Sequence, residues 1–312
     1  MDRRNFIRQV GLSLATGWAF GRLSWPLTAW AAGPELRLAV LSDAHLKNAD
    51  DFCPVAQALA RAVGEINALS PPPDLVLFAG DLAHHGRPDA LDLGREILAD
   101  LSAPLWAVRG EGDGGRHGIA PWTKRFGSPR FSFSFRGVHF LGLDTAWRRT
   151  PYGPAFEIGP EQHSWLAGEL AGIDPATPLV IVSHAPLARL FFPWQQWTQD
   201  ALEITPLLAR FRQVLFLHGH VHGAGVNRAV GNGQWSVAGE SHDWRGFLTE
   251  NRQLNTENPL HLSLPATAWP LPAAVLGTPA QGRPGHGPRG CGWTLLTLHA
   301  RAASFQPHLW QA

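Results

Sequence analysis

The sequence predicts one α/β domain with helices covering its sheets, and three observations lead there. Short apolar runs alternate with helical patterns through the first two thirds of the chain. After His222 the pattern changes to hairpin-like segments. No internal repeat and no linker divides the chain in two.

Taken in order, Leu36–Leu41 reads as a buried strand, and Pro54–Leu69 reads as a helix with Asp51 near its start. Leu75–Ala79 is a second strand, Pro88–Leu101 a helix and Leu105–Val108 a third strand. Phe131–Phe135 alternates, and with Val138–Leu143 across Arg136-Gly137 it reads as a β-hairpin. A helix follows at Pro160–Ala171, then strands at Leu179–Val182 and Val214–Leu217. The closing segments, Val226–Val230, Gln234–Ala238, Leu260–Leu264 and Trp293–Leu298, read as antiparallel strands. A Pro/Gly-rich loop over 277–285 separates the last two.

Composition narrows the class. The chain has 312 residues, 45% of them hydrophobic, and 14 are Trp, which excludes a disordered protein. Only Cys53 and Cys291 are present, which excludes a disulfide scaffold; the expected state is a free pair. Net charge is +1, and four of the arginines lie in the first 31 residues against one aspartate. The remainder is mildly acidic, so no nucleic-acid binding is expected.

Those first residues read as an address. Asp2-Arg3-Arg4-Asn5-Phe6-Ile7-Arg8 precedes a weakly apolar stretch, Val10–Phe20, and Ala29-Trp30-Ala31 suits cleavage before Ala32. The pattern resembles a twin-arginine export signal, so the export machinery is an expected partner and the periplasm or another exported site the expected location. The uncharged stretch from Gln9 to Gly21 is too short to span a bilayer. The expected organisation is therefore residues 1–31 as signal and 32–312 as one domain, with no stable membrane span after processing.

Each of five apolar strands runs into an acid or a histidine. Leu36–Leu41 leads to Ser42-Asp43-Ala44-His45, Leu75–Ala79 to Gly80-Asp81, and Leu105–Val108 to Arg109-Gly110-Glu111-Gly112-Asp113. Leu179–Val182 leads to Ser183-His184, and Val214–Leu217 to His218-Gly219-His220-Val221-His222. Carboxyl ends of parallel strands face a common crevice where ligands bind. Carboxylates gathered there repel one another unless cations compensate. Mixed carboxylate and imidazole ligands suit Mn, Fe or Zn better than Mg or Ca. Seven ligands exceed the need of one ion, so two divalent metal ions are expected.

Together, Asp-x-His, Gly-Asp, a Gly-x-x-Asp turn, a strand-terminal His and Gly-His-x-His resemble the calcineurin-like metallophosphoesterase superfamily. Gln162-His163-Ser164-Trp165-Leu166 is similar to that family's Gln-x-x-Trp-Leu helix. The resemblance implies a four-layer α-β-β-α sandwich with mixed sheets. It implies that Asp43, His45, Asp81 and His222 hold a first metal. Asp81 would bridge to a second, held also by Glu111, His184 and His220. A metal-bound hydroxide would then attack a phosphate ester in line.

The third motif departs from the family pattern, because Glu111-Gly112 stands where Asn-His is usual. Gly112 removes the histidine that helps protonate the leaving group, and such help is worth 10²–10⁴-fold. His117 is the residue expected to replace it, with Arg116, His84 and His85 as neighbours able to do so. The glycines from Gly110 to Gly118 offer backbone N–H groups to a phosphate. Phe191 to Trp197 follows the His184 loop, either overhanging the crevice or packed. The expected function is hydrolysis of a phosphomonoester or phosphodiester by an exported, metal-dependent enzyme. Its rival is a metal-binding accessory protein on the same scaffold, with weak or lost hydrolysis.

Overall fold

A computed structural model describes residues 23–26, 35–114, 118–150, 153–188, 197–230, 234–237, 260–268, 291–299 and 302–310. In chain order it contains β1 (Leu23–Pro26), β2 (Leu36–Leu41), α1 (Pro54–Asn67), β3 (Leu75–Ala79), α2 (Pro88–Leu98) and β4 (Leu105–Val108). The one-turn α3 (Glu111–Gly114), α4 (Ala120–Phe126), β5 (Phe131–Phe135) and β6 (Val138–Leu143) follow. Next come β7 (Ala146–Thr150), β8 (Gly153–Glu157), α5 (Pro160–Ala171), β9 (Leu179–Ser183), α6 (Ala201–Leu208) and β10 (Val214–His218). The chain closes with β11 (Gly225–Val230), β12 (Gln234–Val237), β13 (Leu260–Ser263), β14 (Gly292–His299) and β15 (Ala302–Leu309).

Side-chain alternation along the strands builds the layers. Leu36, Leu38 and Val40 of β2 enter one core, while Ala39 and Leu41 enter another. β3 splits the same way, with Leu75 and Leu77 on one face and Val76 and Phe78 on the other. Val180 and Val182 of β9 and Leu215 and Leu217 of β10 join Leu36, Leu38 and Val40 in a core between two sheets. Their alternate neighbours, Leu179, Ile181, Val214 and Phe216, pack with Leu166 and Leu170 of α5 and Ile204 and Leu208 of α6. On the opposite side α1 and α2 cover the first sheet through Leu59, Val63, Leu91 and Ile97. The result is the α-β-β-α sandwich that the family resemblance implied.

The sheets are mixed. One has the order β1-β15-β14-β2-β3-β4 and the other β12-β11-β13-β10-β9-β6-β5. β2, β3 and β4 are parallel neighbours, as are β6, β9 and β10. The five site-bearing strands thus come three from one sheet and two from the other. The closing strands pair antiparallel with one another as expected, β11 with β12 and β13, and β14 with β15, with one exception. β13 runs parallel to β10, and β14 crosses to the first sheet to pair antiparallel with β2. Helices α1, α2, α4 and α5 each carry proline in the first turn, where its missing N–H is no loss. The N–H groups of Trp293 and Trp310 both donate to Glu65 Oε2, at 2.8 and 3.1 Å, tying the closing strands to α1.

β1 falls within the stretch read as an export signal and pairs with β15. No helix among the described residues is long and apolar enough to cross a membrane. Cys53 and Cys291 are free thiols, as expected.

Candidate metal centre

The two sheets present the C-terminal ends of β2, β3, β4, β9 and β10 to one another, and the chain must turn sharply out of each. Asp43, His45, Asp81, His220 and His222 all adopt φ between 50° and 65°. That left-handed conformation costs a non-glycine residue about 1–2 kcal/mol. Among the described non-glycine residues only His85 and Arg136 share it. Strain concentrated on five of the expected ligands marks a site that the surrounding fold holds in place.

The side chains form two groups joined by one carboxylate. Asp43, His45 and His222 bring their ligand atoms within 4.8 Å of one another, and so do Glu111, His184 and His220. Asp81 Oδ2 lies between the groups, 3.6 Å from His45 Nε2 and 3.5 Å from His184 Nε2. Asp43 Oδ1 faces His222 Nε2 at 3.1 Å and His45 Nε2 at 3.7 Å. Glu111 spans its own group, with Oε2 2.9 Å from His184 Nε2 and Oε1 2.9 Å from His220 Nδ1. All seven expected metal-site residues come together.

Backbone and neighbouring side chains fix the orientation of these groups. Asp43 Oδ2 receives the Ser42 hydroxyl at 2.5 Å, and the His220 N–H is shared between Oδ2 at 3.1 Å and Oδ1 at 3.3 Å, with Oδ1 toward the histidine rings. Asp81 Oδ1 receives the Gly112 N–H at 2.7 Å, leaving Oδ2 central. His184 Nδ1 donates to the Ala79 carbonyl at 2.7 Å, which aims Nε2 at the cluster. Asp113, which the sequence reading left without a role, is fully buried. Its carboxylate accepts the N–H groups of Ala83 at 2.7 Å and Gly110 at 2.9 Å. It clamps the β3 and β4 loops together, and its spacing within Gly-x-x-Asp was the available signal.

Electrostatics show that the cluster is short of positive charge. Burial opposes ionisation of Asp43 and Glu111, but nearby histidines outweigh it and hold both carboxyls well below their usual range. Asp81 goes the other way, because burial and the carboxylates of Glu111, Asp113 and Asp43 push its pKa well up. His184 resists charging by burial, yet Asp81 and Glu111 raise it well above an ordinary imidazole. Burial lowers His45 to about 4. Buried His220 Nε2 lacks a hydrogen-bond partner, and the buried atoms Glu111 Oε2 and His184 Nε2 face each other at 2.9 Å. Carboxylate and imidazole atoms of this kind, clustered and buried, fit divalent cations.

Other expectations fare differently. His117 and Arg116 lie outside the described residues, as does the segment from Phe191 to Gln196. His84 stands beside the site, its ring 5.9 Å from that of His45 and 3.9 Å from that of His85. Gly112 is more than an omitted histidine. A Cβ there would lie 2.7 Å from the Ala83 carbonyl oxygen and 3.0 Å from Asp81 Oδ1, and the Gly86 N–H bonds to the Gly112 carbonyl at 2.5 Å. Backbone at this position leaves no room for a side chain.

The family model for calcineurin-like phosphoesterases matches residues 36–224, which contain every residue of the cluster. The chain belongs to the calcineurin-like phosphoesterase family. Among curated relatives, it is 26% identical over 194 residues to a probable glycerophosphodiester phosphodiesterase of Arcobacter nitrofigilis, covering 58% of this chain and 70% of that one. It is 27% identical over 200 residues to a probable cyclic nucleotide phosphodiesterase of Synechococcus, covering 61% and 74%. Among solved structures, a dimetal phosphatase from Danio rerio superposes with a TM-score of 0.60 at 14% identity, over 87% of this chain and 95% of that one. That likeness concerns the fold. At the level of the family, the calcineurin-like phosphoesterases supply metal-dependent phosphoester hydrolysis, and these residues suggest a dinuclear divalent site.

Proposed function

We propose that this chain is an exported phosphoesterase that hydrolyses a phosphomonoester or phosphodiester with two divalent cations, drawn from Mn, Fe or Zn. The observation that carries the reading is the central position of Asp81 Oδ2 between two histidine–carboxylate groups. Asp43, His45 and His222 would hold one cation and Glu111, His184 and His220 the other, with Asp81 shared. Bound there, the cations would activate water and neutralise phosphoryl charge. The chain itself fixes the carboxylate oxygens through Ser42, Gly112 and Asp113. Phosphodiesterases among the relatives support a diester as substrate.

Glu111 distinguishes the second group, because it adds an anion where the family pattern has a neutral amide. An added negative charge weakens a cation's pull on phosphoryl oxygens. Together with Gly112, it also favours a second reading, a metal-binding accessory protein. His84 and His85 place an imidazole pair beside His45 that would be a source of the leaving-group proton. The test is a screen of mono- and diesters with metal-loaded protein, alongside an Asp81→Ala control. Turnover in the wild type and its loss in the control supports hydrolysis. No turnover of any ester by loaded protein supports the accessory reading. Export is tested separately: fractionated cells should hold a chain beginning at Ala32 outside the cytoplasm.

A further inference from the structure

A groove of about 550 Å³ has a lining that includes Thr123, Arg130, Asp144, Arg148, Gly159 and Glu161. A volume of that size accommodates a small organic group. None of the seven cluster residues lines it, yet two walls run from it to the cluster. Phe156 of β8 touches the His220 ring, with centroids 4.8 Å apart, and Ile158, two residues on, lines the groove. Two residues of extended chain cover about 7 Å. On the other side Arg109, which immediately precedes Gly110-Glu111, pairs with Asp144: Nη2 donates to Oδ2 at 3.0 Å, and Nε lies 2.9 Å from Oδ1 as a charge contact.

Charge in the groove is unevenly placed. Arg109, Arg130 and Arg148 all act on the carboxyl of Asp144, the one acid at the floor, whose burial pushes its pKa up against them. The remaining acids sit at the rim. Glu161 meets Arg130 at 3.0 Å with its side chain 86% exposed, and Glu157 stands 3.8 Å from Arg148. Exposed pairs of this kind contribute little and are readily exchanged. Arg148 lies across Gly159, where a Cβ would come 3.3 Å from Nη2. It is half exposed, with its guanidinium at the groove.

We propose that this groove is a substrate subsite, in which Arg148 and Arg130 hold a carboxylate or phosphate on the non-reacting arm of the ester. The proposal rests on the phosphoesterase reading and names its substrate class: esters that carry a second anionic group on the arm that is not cleaved. Guanidinium forks suit such groups because they bind both oxygens at once.

The experiment compares two diesters of equal length, 4-carboxybutyl 4-nitrophenyl phosphate and its uncharged pentyl counterpart, on metal-loaded protein. Wild type is expected to favour the carboxylated ester in kcat/KM by tenfold or more, through KM. Arg148→Gln should bring that ratio close to one. Equal use of the two esters by wild type, or a preference that survives in both Arg148→Gln and Arg130→Gln, overturns the proposal. If neither ester is hydrolysed, the phosphoesterase reading is judged by the wider ester screen, and calorimetric titration with 5-phosphonopentanoate decides the subsite. Binding that weakens tenfold or more in Arg148→Gln sustains it, and equal affinity in both proteins removes it.

Discussion

Gly112 offers the sharpest perturbation, because the family pattern invites its replacement by histidine and the backbone forbids it. A Cβ at this position falls 2.7 Å from the Ala83 carbonyl and 3.0 Å from Asp81 Oδ1. Neither neighbour can step aside cheaply. The segment after Ala83 is tied to Gly112 by the Gly86 N–H, and the Ala83 N–H itself binds Asp113. Asp81 Oδ1 already accepts the Gly112 N–H. Overpacking of this kind costs about 1–3 kcal/mol. The strain falls on Asp81, so part of it should appear as weaker cation binding, and 1–3 kcal/mol corresponds to roughly 5- to 150-fold in affinity. Gly112→Ala is the clean test and Gly112→His the severe one. Thermal unfolding with and without chelator, together with zinc titration, would separate loss of fold from loss of affinity. Both variants should melt below wild type and bind cations more weakly. A Gly112→His protein with wild-type stability, full metal content and faster turnover of alkyl esters would refute the reasoning.

Three further outcomes are expected. Asp113→Ala strands two buried N–H groups, at about 1–3 kcal/mol each; burial pushes this carboxyl up to about 6, so at pH 5, where it is already neutral in the folded chain and its removal relieves no buried charge, chemical denaturation should show a loss of several kcal/mol. In metal-free protein His184 is held protonated by Asp81 and Glu111 above the usual imidazole range. A cation must displace that proton, so loading at neutral pH should release it and affinity should rise with pH; titration heats independent of buffer ionisation enthalpy would contradict this. Asp81→Ala should lose both cations and His222→Ala mainly one, and elemental analysis showing equal retention in the two would count against a shared carboxylate.

Much of the site was legible because its chemistry sits at strand ends. An apolar run followed at once by Asp, His or Gly-Asp names both the strand and the rim it reaches, so the seven cluster residues could be read without knowing how the sheets pair. Partition of those strands between two sheets came from the family resemblance and not from local pattern, since Leu179–Val182 is apolar on both faces and Leu36–Leu41 departs from that only at Arg37. β15 escaped notice because Ala302–Leu309 carries Pro307, and proline within a run argues against a strand. Helix α6 carries Pro206, and α3 has two glycines in four residues; tertiary contacts override propensity in both. The β7–β8 hairpin and the groove beside it depend on long-range packing, as in the pairing of Arg109 with Asp144, which no local pattern announces.

The central claim is that two cations share Asp81. It is tested most directly by counting metal in protein purified without chelator, by elemental analysis against amino-acid quantitation. About two divalent ions per folded chain are expected, falling toward none in Asp81→Ala while the fold persists. One ion or none in folded, unstripped wild-type protein would contradict it.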